Sequence, residues 1–210
     1  MERFPKSLVL ILGLLCFVFT SCVDSDNPLS DPKQAAVDPG LAGVWRGREK
    51  DGDVTYYHVG KAGDKFPAGM LRVKMITHNK NGELPLPDKG DTLVFTTVLG
   101  KNHYVNITGL DAEKLKSMGD AKWEPAMADG YFIYKYEITG DKLAIAGMDH
   151  AQKEAAIKAG KIKGTTEGDN PRFTDTTENL VRFLASPDAE KLFFTKDHMD
   201  DGYAVLERVK

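Results

Sequence analysis

The chain has 210 residues, 28 Lys and Arg against 31 Asp and Glu, and a formal net charge of −3; hydrophobic residues make up 41% and charged ones 28%. That balance is ordinary for a globular domain and excludes collagen-like and low-complexity chains, and the mild acidity argues against nucleic acid as a partner, which calls for a basic face. Both cysteines, Cys16 and Cys22, fall within the first 22 residues, so the body of the chain has no means of forming a disulfide or a cysteine metal site.

Arg3 and Lys6 precede an apolar run of 12 residues, 8–19. A membrane-crossing helix needs about 20, whereas a basic start, a short apolar centre and small residues describe a secretory signal peptide. The small residues are Thr20 and Ser21, directly before Cys22. Phe19-Thr20-Ser21-Cys22 resembles the lipobox of bacterial lipoproteins, with Phe19 standing where Leu is usual. The resemblance implies removal of residues 1–21 and lipidation of Cys22 with diacylglycerol and an amide-linked acyl chain such as palmitate. Two or more chains make such anchoring stable, each buried methylene contributing about 0.8 kcal/mol. Val23 in place of Asp after the cysteine implies the outer membrane, facing the periplasm. Residues 22–40 then read as the lipidated N-terminus and a flexible tether: 23–40 hold three Pro, four Asp and little to bury.

From residue 41 a single domain is expected. Short β-branched and aromatic runs alternate with turn signals. Strands are expected over 44–49, 54–59, 69–78, 92–99, 103–108, 131–139, 142–146, 191–196 and 203–209. The hairpin dipeptide Asn81-Gly82 closes one turn and a loop with Pro85 and Pro87 follows. Within 132–138, Phe132, Tyr134, Tyr136 and Ile138 alternate with Ile133, Lys135 and Glu137, the split of a half-buried sheet. Three short helices interrupt the strands. Asp111 caps 112–118, which Gly119 stops; Asp149 caps 151–159; and Asp175 with Glu178 caps 177–185, whose Leu180, Phe183 and Leu184 form one apolar stripe. Many short strands and few helices predict a mainly β fold, an antiparallel barrel of about eight or nine strands with two or three short helices.

Gly43-Val44-Trp45 is similar to the Gly-x-Trp motif that opens the first strand of lipocalins. The resemblance implies a lipocalin-like barrel in which Trp45 plugs the closed end and Arg208, from the last strand, stacks on its face. The body also resembles uncharacterised bacterial lipocalin-like proteins over 143–160, 174–184 and Leu192-Phe193.

Catalytic and metal chemistry find no motif. His58, His78, His103, His150 and His198 have no zinc-ligand spacing. The acidic turn at 197–202 lacks the ligand spacing of a calcium loop and reads as a hairpin turn. Neither a Gly-x-Ser-x-Gly elbow nor a phosphate-binding glycine loop occurs. No catalytic residue, metal or cofactor is therefore assigned, and the chain is expected not to be an enzyme. The aromatic residues carry more information: Tyr56, Phe95, Tyr134 and Tyr136 are expected to line a cavity for an apolar or amphipathic ligand. The expected function is that of a lipid-anchored envelope protein binding such a molecule. The alternatives are a module docking an envelope protein partner and an envelope hydrolase.

Overall fold

The computed structural model describes residues 23–81, 91–166, 170–199 and 202–210. Alternating residues build β1 (Gly43–Arg48), β2 (Val54–Lys61), β3 (Leu71–His78), β4 (Asp91–Leu99), β5 (Asn102–Leu110), β6 (Phe132–Thr139) and β7 (Lys142–Ala146). A separate small pair, β8 (Gly164–Thr165) with β9 (Arg172–Phe173), precedes the last strand, β10 (Tyr203–Arg208). Eight of these strands close into an antiparallel barrel in the order β1-β10-β7-β6-β5-β4-β3-β2, with β2 returning to β1. Closure removes the unpaired edges that an open sheet would expose. The seam is the pairing of Trp45 with Arg208 and of Arg46 with Glu207.

Three α-helices occur among the described residues: α1 (Ala112–Met118), α2 (His150–Lys158) and α3 (Thr177–Leu184). Asp111 accepts from Lys114 N to start α1, and Gly119 ends it; Asp149 accepts from Ala151 N and Gln152 N to start α2. Such caps satisfy backbone donors that have no partner inside the helix. The cap of α3 differs from the expected Asp175–Glu178 pair. Asp175 spends its oxygens on Lys163 N, Thr176 N and Asn179 Nδ2, and the cap passes to Thr176, which accepts from Asn179 N.

The barrel wall is apolar on two sides in one sector. On β4, β5 and β6 the lumen-facing Val94, Val105, Ile107 and Tyr134 alternate with Leu93, Phe95, Tyr104 and Ile133, which are buried on the outside. A second layer covers that outer face. One part is α2, α3 and β9, where Ala156, Phe173, Leu180 and Phe183 pack with Tyr104 and Ile133. The other is Met118 of α1, Trp123 and the β2–β3 loop, whose Phe66 and Met70 pack with Leu93 and Phe95. Strands buried on both faces lose the clean apolar–polar alternation.

The flexible tether expected over 23–40 is instead a strap seated on the barrel. Asp24 N and Ser25 N donate to Tyr131 O, Tyr131 N donates back to Ser25 O, and Asp26 N donates to Phe173 O. Leu29 is buried and its N–H donates to Asn106 Oδ1 at 2.8 Å. Thr96 then donates to Ala36 O. Asp24 forms a buried ion pair with Lys153 of α2, Oδ1 to Nζ at 2.5 Å. Composition predicted disorder because the segment has little apolar surface; backbone pairing and one ion pair hold it instead. The domain therefore begins at Val23 rather than at residue 41.

The strand expected over 191–196 is absent. Pro187–Leu192 forms a 3-10 turn, and Phe193 makes only an isolated bridge with Met148. Pro187 supplies no N–H to a ladder, and Leu192 and Phe193 are both buried, so period-2 alternation fails there. The barrel accordingly has eight strands. The signal segment with Cys16, the lipidation residue Cys22, the Gly82 end of the Asn-Gly turn, the loop with Pro85 and Pro87, and Asp200 and Asp201 lie outside the described residues.

Candidate functional site: the barrel cavity

The lumen of the barrel is incompletely filled. A cavity of about 130 Å³ lies between Trp45, Tyr57, Val73, Met75, Val94, Ile107, Tyr134, Tyr136, Leu143, Ile145 and Leu206. Its wall follows from register. Trp45 pairs with Tyr57, and Tyr57 with Met75, so all three stand on one row facing the same side of the sheet. Their neighbours Arg46, Tyr56 and Ile76 form the next row and point outward.

One end of the cavity is built around Trp45, which is fully buried. Its indole Nε1 donates to Leu41 O at 2.8 Å, and the Arg208 guanidinium lies 4.1 Å above its ring centroid. Arg208 donates further to Ala42 O at 2.8 Å and to Gly40 O. A guanidinium stacked on an indole is stabilised by the ring quadrupole, and here it also gathers the carbonyls of the entering chain. Gly43 makes this possible: its φ is +130°, and a Cβ there would lie 2.7 Å from Arg208 Nη1. Close by, the Tyr136 hydroxyl donates to Asp38 Oδ2 at 2.6 Å. Burial, together with that carboxylate, raises the Tyr136 hydroxyl above its ordinary pKa.

Two further hydroxyls belong to the wall, those of Tyr57 on β2 and Tyr134 on β6. Burial pushes Tyr57 up to about 12, with Glu49 adding to it. Burial raises Tyr134 as well, with Asp24 and Tyr57 adding. Both remain neutral donors across the physiological range. Among the described residues no charged side chain lines the cavity, and no group of three or more His, Cys, Asp or Glu converges anywhere.

Of the residues expected to line the cavity, Tyr134 and Tyr136 do so. Tyr56 and Phe95 do not. Tyr56 points outward and packs edge-on against the His78 ring, 5.5 Å between centroids. Phe95 is fully buried, but in the outer layer, edge-on to Tyr131. Each sits one residue away from a lumen-facing neighbour, Tyr57 and Val94 respectively. Sequence reasoning missed Tyr57 as a wall residue, although a parity argument was available: in the β1–β2 register it stands opposite Trp45.

What the arrangement can do chemically is enclose a small, largely apolar molecule and offer it neutral hydroxyls. It holds no base, nucleophile or metal-ligand set on its wall. No protein-family model, curated protein or solved structure matches the chain.

Proposed function

We propose that this is a lipid-anchored cell-envelope protein of lipocalin-like architecture whose barrel binds a small hydrophobic or amphipathic molecule without transforming it. The observation that carries the reading is the unfilled lumen: an apolar cavity of about 130 Å³ enclosed by a closed barrel. An engineered apolar cavity of about 150 Å³ in another protein stays dry and takes up benzene, so a lumen of this size suits a ligand of similar bulk. The Gly-x-Trp entry of Gly43 and Trp45 and the stacked Arg208 support the lipocalin-like part of the reading.

Anchoring through Cys22 acquires a geometry from the strap. Val23 packs over Gly130, and Asp24 and Ser25 are bonded to Tyr131, just before β6 begins. The Trp45 end of the barrel is the other end, where β6 finishes and Arg208 N donates to Asp141 O. Successive Cα atoms are 3.8 Å apart, so a lipid on Cys22 would sit one residue from the barrel wall. The end of the barrel at which β6 begins would then lie against the membrane with no spacer. The ligand would be drawn from, or delivered to, that surface.

Native mass spectrometry of the full chain purified from its own envelope tests the reading. The expected result is a retained small molecule on the lipidated protein and its loss from Val73→Phe, which adds a ring to the cavity wall. A barrel that carries no molecule and takes up no apolar probe would overturn ligand binding. A mature mass without acyl chains on Cys22 would overturn the anchor.

A further inference from the structure

The cavity wall is uneven in one respect. Almost all of it is aliphatic or aromatic carbon, yet Tyr57 and Tyr134 bring hydroxyls to it. β2 and β6 stand four places apart in a ring of eight strands, so the two tyrosines rise from opposite walls. Among the described residues neither hydroxyl has a hydrogen-bond partner. Tyr136 differs, because its hydroxyl is already committed to Asp38. A buried hydroxyl without a partner costs about 1–3 kcal/mol, and evolution of an apolar lumen would more simply have used Phe at both places. We infer that the barrel takes an uncharged molecule about the size of one six-membered ring, bearing one hydroxyl or carbonyl oxygen that Tyr57 and Tyr134 hold from opposite sides.

The exclusion of charge follows from the same wall. A carboxylate or ammonium entering it would leave water without a counter-ion, since no described Lys, Arg, His, Asp or Glu lines the cavity. Such a transfer costs several kcal/mol even after the protein relaxes. A pure hydrocarbon enters freely but leaves both hydroxyls unsatisfied. An alcohol, phenol or ketone of the same bulk satisfies at least one. The expected order of affinity is therefore neutral oxygen-bearing ring, then hydrocarbon ring, then anion. This inference rests on the ligand-binding reading above.

Three probes of matched size separate the possibilities: benzyl alcohol, toluene and benzoate. The chain has two tryptophans; with Trp123→Phe as background, the remaining Trp45 reports directly on the cavity. Benzyl alcohol is expected to bind more tightly than toluene, and benzoate to give no saturable signal. Tyr134→Phe and Tyr57→Phe each keep the ring and remove the oxygen. Each is expected to weaken benzyl alcohol by about three- to tenfold, the worth of one hydrogen bond, and to leave toluene within about twofold. Near-ultraviolet circular dichroism verifies that each variant keeps its packing. Benzoate binding as well as benzyl alcohol, or benzyl alcohol indifferent to both substitutions, overturns the inference while leaving ligand binding intact. Failure of both benzyl alcohol and toluene to bind overturns the ligand-binding reading and this inference with it.

Discussion

At Gly43 a single hydrogen atom in place of a side chain decides how the chain enters the barrel. The backbone there has φ +130°, and Arg208 Nη1 occupies the space a Cβ would take. Gly43→Ala is therefore expected to strain the backbone and displace the guanidinium from Trp45, costing about 1–3 kcal/mol; urea unfolding followed by tryptophan fluorescence measures it. The lumen tyrosines give a second expectation at this scale. Tyr57 is pushed up to about 12, chiefly by burial, against about 10 in an unfolded chain. Between these values the folded chain keeps a proton that the unfolded chain has lost, so stability is fully present below pH about 10 and falls as pH rises towards 12. Tyr57→Phe removes this group, and its unfolding free energy should fall less steeply over that interval. The Trp45 neighbourhood was legible in the sequence because Gly-x-Trp is local. Tyr57 was not, because only cross-strand register places it opposite Trp45.

The strap is the element whose role composition hides. Asp24 and Lys153 form a buried pair, and Asp24 also accepts from Ile133 N at 3.0 Å. Removing one partner of a buried pair leaves the other uncompensated, at about 3–5 kcal/mol. Lys153→Met is expected to cost that much in urea unfolding, and combining it with Asp24→Asn should cost less than the two single changes added together. Near the middle of the strap, a Cβ at Gly69 would fall 1.8 Å from Ala35 O. Gly69→Ala should consequently lift residues 31–38 from the barrel, read as faster proteolysis in that stretch with the barrel itself retained. By contrast α1 was legible almost to the residue, since Asp111 and Gly119 mark its ends within the sequence that forms it. The Thr176 cap of α3 escaped notice because Asp175 is drawn away by Lys163 N, a group twelve residues upstream.

For the whole molecule the decisive event is closure of the ring. Arg208 meets Ala42 across 166 residues of chain, and β1 with β10 can pair only when everything between them is in place. Such non-local pairing implies folding in the slow range for its size, milliseconds to seconds or beyond. Arg208→Ala removes the stacking on Trp45 and two hydrogen bonds to the entering chain, and is expected to destabilise by about 2–4 kcal/mol, seen as a lower urea midpoint with an unchanged slope. Closure also explains why a lumen exists at all. The second layer of helices and strap satisfies the outer apolar face of β4–β6, and the inner face retains a space its own side chains do not fill.

Sequence alone determined the class of the protein: short alternating strands, tight turns, locally capped helices and a barrel opened by Gly43 and Trp45. These are properties of neighbours in the chain, governed by backbone geometry and by caps within a few residues. Tertiary structure alone decided which face of each strand became the lumen. Period-2 alternation says that Tyr56 and Tyr57, or Val94 and Phe95, point opposite ways; where both faces are buried it cannot say which way is in. The same holds for residues 23–40, whose partners Tyr131, Phe173, Asn106 and Lys153 lie far away in the chain. Their order comes from hydrogen bonds and charge pairing completed only after the barrel has formed.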